Sequence, residues 1–91
     1  MKADQLQDVV DVCRMLADTT RASMLAILAK GPRTVGELCR ELKLPQPTVS
    51  HHLALLRITG LLERRRKGKQ MIYNLNREKL APVNQFMAML K

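Results

Sequence analysis

The stretch Gln46-Pro47-Thr48-Val49-Ser50-His51-His52-Leu53-Ala54-Leu55-Leu56-Arg57 decides how this chain of 91 residues is read. Pro47 suits the first turn of a helix, where its missing N–H costs no hydrogen bond, so a helix is predicted from here to Gly60. Val49, Leu53 and Leu56 recur at spacings of four and three and give that helix one apolar face. Thr48, Ser50, His51 and Ala54 point away from it. A face meant only for solvent ordinarily carries long charged side chains, whereas these are short enough to let a helix sink into a groove. Glutamine pairs with adenine edges, serine and threonine with several acceptors or with phosphates, and histidine donates to a guanine or a phosphate. Gln46, Thr48, Ser50 and His51 are therefore the candidate base readers, against the alternative of an ordinary solvated surface. His52 lies about 100° round the helix from His51, nearer the Val49 face, and either packs at the boundary or touches DNA. Arg57, at the outer end, either reaches a phosphate or is solvated.

Upstream, Thr34 and Glu37 stand three apart just before Leu38 and Leu42, the arrangement in which each side chain satisfies a backbone N–H at a helix start. A short helix follows to about Leu42, and residues 43–45 leave room only for a turn. Further upstream, Leu6, Val9, Val10, Cys13 and Leu16 recur at helical spacing with Asp4, Asp8 and Asp11 near the positive end. Asp18, Thr19 and Thr20 offer caps for a second helix carrying Met24, Leu25, Ile27 and Leu28, which Gly31-Pro32 stops.

Downstream, residues 61–66 and 70–75 flank the turn 67–69 as a hairpin, with Met71, Tyr73 and Leu75 alternating onto one side. The tip gathers Arg64, Arg65, Arg66, Lys67 and Lys69, a cluster that repels itself unless an anion or solvent takes up the charge. It reads as a phosphate or minor-groove contact, the alternative being a solvated turn. Asn76 is placed to cap a last helix with Leu80, Val83, Phe86, Met87 and Leu90 as its apolar stripe.

A hydrophobic content of 46% suits one compact domain over residues 1–91 and excludes a disordered chain. So short a domain covers its apolar surface poorly, which favours assembly with a second copy. Sixteen Lys and Arg against eight Asp and Glu give a net charge of +8, and the excess is central: four against four in residues 1–30, nine against three in 31–75, three against one in 76–91. A basic centre suits a phosphate-binding face. No apolar run reaches the ~18 to 20 residues of a membrane span, and the first 14 residues lack a signal peptide's apolar centre, so a cytoplasmic protein without a membrane partner is expected. Cys13 and Cys39 lie on otherwise apolar faces and are expected as buried free thiols, with a redox switch as the alternative. No nucleophile, base and orienter, no paired carboxylates and no Gly-rich phosphate loop occur, so an enzyme is not expected.

Short helix, tight turn, second helix and basic hairpin form the winged helix-turn-helix order. The sequence also resembles the arsenic-repressor (ArsR/SmtB) family through Leu16-Ala17-Asp18-Thr19-Thr20-Arg21, Val35-Gly36-Glu37-Leu38, residues 46–53 with Leu55-Leu56-Arg57, Gly60-Leu61-Leu62, and Gly68-Lys69 with Tyr73. The resemblance implies a homodimeric repressor held by its first and last helices, residues 1–16 and 76–91, which leaves its operator when an inducer binds. Leu6, Val9, Val10, Cys13, Val83, Phe86, Met87 and Leu90 are then the candidate dimer interface. Pro45 departs from the family's usual serine cap, and Thr34 and Gly36 occupy the places of the metal sensors' Cys-x-Cys pair. The last helix offers only Glu78 as a ligand, so neither a metal nor another cofactor is expected. The expected fold is mainly α: five helices, a helix-turn-helix over 34–60 and a β-hairpin wing over 61–75. The expected function is repression at a pseudo-palindromic double-stranded operator, the effector being unknown; a thiol-, redox- or metal-responsive repressor and a winged-helix module for protein or RNA are the alternatives.

Overall fold

A computed structural model describes all of residues 1–91. The chain begins with α1 (Ala3–Leu16) and α2 (Thr19–Leu28), continues through the short strand β1 (Arg33–Thr34) into α3 (Val35–Leu42), and reaches α4 (Gln46–Ile58). Strands β2 (Leu62–Lys67) and β3 (Gln70–Leu75) form the wing, a 3-10 turn spans Arg77–Leu80, and α5 (Ala81–Met89) closes the order. This is the winged helix-turn-helix arrangement.

Local chemistry places most of the helix starts. The Asp18 carboxylate accepts from the Arg21 N–H at 3.0 Å, capping α2. At α3 the Glu37 N–H donates to the Thr34 hydroxyl at 3.2 Å and the Thr34 N–H donates to the Glu37 carboxylate at 2.9 Å. These bonds hold both acids below the ordinary carboxylate range, Asp18 chiefly through the Arg21 N–H and Glu37 through the Thr34 N–H and then its hydroxyl. Because folding lowers both pKa values, the stability the caps add is complete above the ordinary carboxylate range and is lost as pH falls through the lowered values. Acid unfolding followed by circular dichroism is expected to show a shallower stability loss below about pH 4 for Asp18→Asn and Glu37→Gln than for the parent chain. Parallel curves would exclude this source of acid sensitivity.

Pro45 takes the cap position of α4 without a side-chain acceptor; its extended backbone (φ −68°, ψ 152°) turns its carbonyl to accept from the Val49 N–H at 3.2 Å. The turn before it rests on Lys43, whose left-handed φ of 56° lets its N–H reach the Cys39 carbonyl. For a residue with a Cβ that conformation costs on the order of 1 kcal/mol.

The wing is a tight hairpin. Lys67 pairs with Gln70, leaving Gly68 and Lys69 as a two-residue turn with Gly68 at φ 63°, one residue shorter than the sequence reading placed it. The sheet has three strands in the order β1-β3-β2, because Arg33 and Thr34 pair antiparallel with Tyr73 and Ile72. Two residues show no alternation, so this strand was not foreseen.

The chain's end differs from the expected single helix. Pro82, in the first turn of α5, lacks an N–H and its ring opposes a carbonyl four residues back, so the 3-10 turn and α5 stay distinct. Asn76 makes no side-chain cap; its amide donates to the Gly60 carbonyl at 3.0 Å and its N–H to the Leu61 carbonyl at 2.9 Å, joining the wing to the end of α4. Helix α4 itself stops at Ile58, two residues before Gly60, which adopts a φ of 83°.

One core unites these elements. Val12, Met24, Leu25, Leu28, Leu38, Val49, Leu53, Leu56, Leu61, Leu62 and Tyr73 pack as a continuous buried cluster, with Met71, Leu75, Leu80 and Val83 against it. No helix is long and apolar enough to cross a membrane.

Candidate nucleic-acid interface

The two faces of α4 are sharply divided. Val49, Leu53 and Leu56 are buried, whereas Gln46, Ser50, His51 and Arg57 are exposed and Thr48 and His52 are half-buried. The ridge opposite the core runs Pro47, His51, Ala54, Ile58, at helical spacings of four, three and four. Ser50 and Thr48 flank it on either side, and Gln46 stands at the first helical position. Ile58 ends the ridge with 77% of its surface exposed, a position the sequence reading had not singled out. Its place on the ridge could have been found by extending the helical count past Ala54.

In the wing every residue from Glu63 to Gln70 is exposed. Arg64 and Arg66 lie opposite Tyr73 and Met71, and Arg65 and Lys67 opposite Ile72 and Gln70, so alternation puts cations on both faces of the ribbon. Lys69 adds a fifth at the turn. The ion pairs of the chain involve Arg14, Arg21, Arg33 and Lys79, and none of the five wing cations has an acidic partner. That charge is uncompensated, and the row of charged side chains on edge strand β2 also keeps other strands from adding to it.

The candidate dimer residues divide in burial. Leu6, Val10 and Cys13 on α1 and Met87 and Leu90 at the end of α5 are exposed, Phe86 is half-buried, and Val9 is buried within its own chain. Val83 packs on the core. An open groove between α1 and α5 is lined by Leu6, Val9, Val10, Cys13, Arg14, Ala17 and Phe86. The expectation of buried thiols therefore fails at Cys13, which is exposed, while Cys39 is half-buried against the core. Periodicity identified an apolar face at Cys13; no other element of the chain covers it.

The His51 and His52 rings stand 5.5 Å apart at 62°, edge to face, and no group of three or more His, Cys, Asp or Glu gathers to hold a metal ion. Two arginines without an assigned role tie the elements together. Arg77 donates to the Ala29 carbonyl at 2.9 Å, and Arg21 bridges α1 and α4. Arg21 stood within the family-like motif, but nothing near it in sequence announces partners on two other helices.

The model of the bacterial regulatory protein arsR family matches residues 18–64, half of the chain. This chain belongs to the arsR family. The match runs from the Asp18 cap through α3 and α4 to Arg64 in the wing, leaving α1 and α5 outside. Relatives of this arsR-family chain include the HTH-type transcriptional regulator KmtR of Mycobacterium tuberculosis, 45% identical over 82% of this chain and 58% of that protein. Another is the arsenic resistance transcriptional regulator ArsR1 of Pseudomonas putida, 47% identical over 74% of this chain and 53% of that protein. The chain thus spans little more than half the length of these two relatives. Among solved structures, the transcriptional repressor BigR from Xylella fastidiosa is 30% identical with a TM-score of 0.78, covering 96% of this chain and 89% of that one.

Proposed function

We propose that this arsR-family chain is a sequence-specific repressor that binds a pseudo-palindromic double-stranded operator as a homodimer. The observation that carries the reading is the exposed, short-chained ridge of α4 beside a wing of five unpaired cations. Gln46, Thr48, Ser50 and His51 read base edges, and Arg64, Arg65, Arg66, Lys67 and Lys69 hold the phosphate backbone, with Arg57 at the outer end of the helix. The whole of residues 1–91 acts as one DNA-binding unit.

The dimer reading rests on where apolar surface is left uncovered. Of the exposed large hydrophobic residues, only Ile58 lies outside the two ends of the chain; Met1, Leu6, Val10, Leu16, Met87, Met89 and Leu90 belong to α1, α5 or their flanks. A second copy covering these helices sets two α4 helices about 34 to 36 Å apart, in successive major grooves.

Gel retardation on duplexes from upstream of the chain's own gene is the direct test, with a shift expected at low salt; retardation of no duplex at all rejects the reading. Binding to RNA or protein but not to duplex DNA at physiological salt would support a different winged-helix module. His51→Ala is expected to reorder the affinities of a panel of duplexes, since a good base contact discriminates by about 1–3 kcal/mol. Uniform weakening across the panel would assign His51 to the backbone.

A thiol-responsive repressor is a second reading, favoured by the exposure of Cys13 in the α1–α5 groove. Operator binding that survives a mild oxidant unchanged would exclude it.

A further inference from the structure

Arg21 sits in the first turn of α2, and its side chain is only 15% exposed. Its guanidinium is directed at other helices. Nε donates to the Met15 carbonyl at 3.0 Å and Nη2 to the Arg14 carbonyl at 3.2 Å, so a fixed cation closes the negative end of α1. Asp18, which caps the same turn of α2, lies 3.9 Å from Nη1 and offsets the charge. Nη1 also lies 3.4 Å from Nδ1 of His52, on α4.

A guanidinium is all donor: it has five N–H groups, no acceptor, and stays protonated. The imidazole nitrogen that faces it is therefore satisfied only as a lone pair. A neutral His52 ring then carries its proton on Nε2, because the hydrogen bond at one ring nitrogen sets the state of the other. No acceptor in the chain is bonded to His52, and the residue is half-buried. An oriented, unpaired N–H donor thus stands on the flank of α4, about 100° round from the ridge residue His51. When a helix lies in a groove its flanks face the sugar-phosphate walls, and roughly half or more of protein–DNA hydrogen bonds end there.

We propose that Arg21 is a positioning residue for DNA binding: it holds the His52 imidazole as an Nε2–H donor, and His52 gives that hydrogen bond to a backbone phosphate beside α4. The same guanidinium ties this donor to the end of α1, so the phosphate contact is set relative to the helix that forms the dimer. This rests on the operator-binding reading above.

Long-range proton–nitrogen NMR of the imidazole in the DNA-free protein is expected to show a protonated Nε2 and a bare Nδ1 at His52. In Arg21→Lys, which keeps a cation but loses the fork, a tautomer mixture is expected. In anisotropy titrations, His52→Ala should weaken every duplex alike by about tenfold, with the salt slope unchanged because a neutral donor releases no counterion. His52→Gln, which offers an acceptor and a donor of its own, should recover most of that loss. Arg21→Lys should weaken binding by a similar factor, and the double variant Arg21→Lys/His52→Ala should be no weaker than His52→Ala.

A protonated Nδ1 or an averaged tautomer in the parent protein overturns the Arg21–His52 pairing. Additive losses, a slope lowered by about one, or no loss in His52→Ala overturns the phosphate contact. His52→Ala leaves the Arg21 bonds to α1 in place, so it reads DNA contact even where Arg21→Lys costs stability. If the parent protein retards no duplex, the operator reading falls and the phosphate contact with it, while the tautomer still decides the pairing.

Discussion

Removing Arg64, Arg65, Arg66 and Lys67 together, each to alanine, is expected to lower affinity for all duplexes by about 30- to 100-fold near 0.2 M salt and to reduce the slope of log K against log salt by about 2 to 3. The factor follows from counterion release: each phosphate neutralised by a side chain contributes about 0.9 to the slope for duplex DNA, independently of sequence. Strand alternation puts these cations on both faces of the ribbon, so not all four are expected to touch phosphate at once. Because none of them is ion-paired within the chain, the fold loses no salt bridge on their removal. Mutual repulsion at the tip also disappears, and the thermal midpoint should stay level or rise slightly. Arg65→Ala alone should shift every duplex alike, unlike His51→Ala. An unchanged salt slope in the fourfold variant would show that the wing's charge is merely solvated.

Leu53→Ala acts through the opposite face of α4. Leu53 is 1% exposed within the central cluster, so truncation removes transfer energy and leaves a cavity, at a cost of about 2–5 kcal/mol. Against a total of roughly 5–15 kcal/mol for a domain, that is a large share, and a midpoint fall of about 10–30 °C is expected by calorimetry. His51→Ala, two positions away on the exposed ridge, should cost less than about 0.5 kcal/mol under the same conditions. The comparison needs a single protein concentration, since the proposed dimer would couple stability to it. A Leu53→Ala midpoint within a few degrees of the parent would mean that α4 is not anchored as its burial indicates.

The sequence alone determined the elements held by contacts a few residues long. Thr34 and Glu37 announce the start of α3, Pro47 fits the first turn of α4, and the spacing of Val49, Leu53 and Leu56 separates its core side from its outer side. The wing is legible because Met71, Tyr73 and Leu75 alternate and Gly68 permits the left-handed turn. Capping, period and turn geometry are short-range physics, so residue order records them directly.

Tertiary structure decided what distance in the chain conceals. Arg33 and Thr34 become a strand only because Tyr73 and Ile72 lie beside them, and Asn76 gives up its capping role because Gly60 comes within reach. Arg21 meets His52 across 31 residues and Arg77 meets Ala29 across 48. Cys13 lies exposed because the helical period shows which face is apolar and not whether another element covers it. Such partners are chosen by where the packed core places the ends of its elements, and no local spacing encodes that choice.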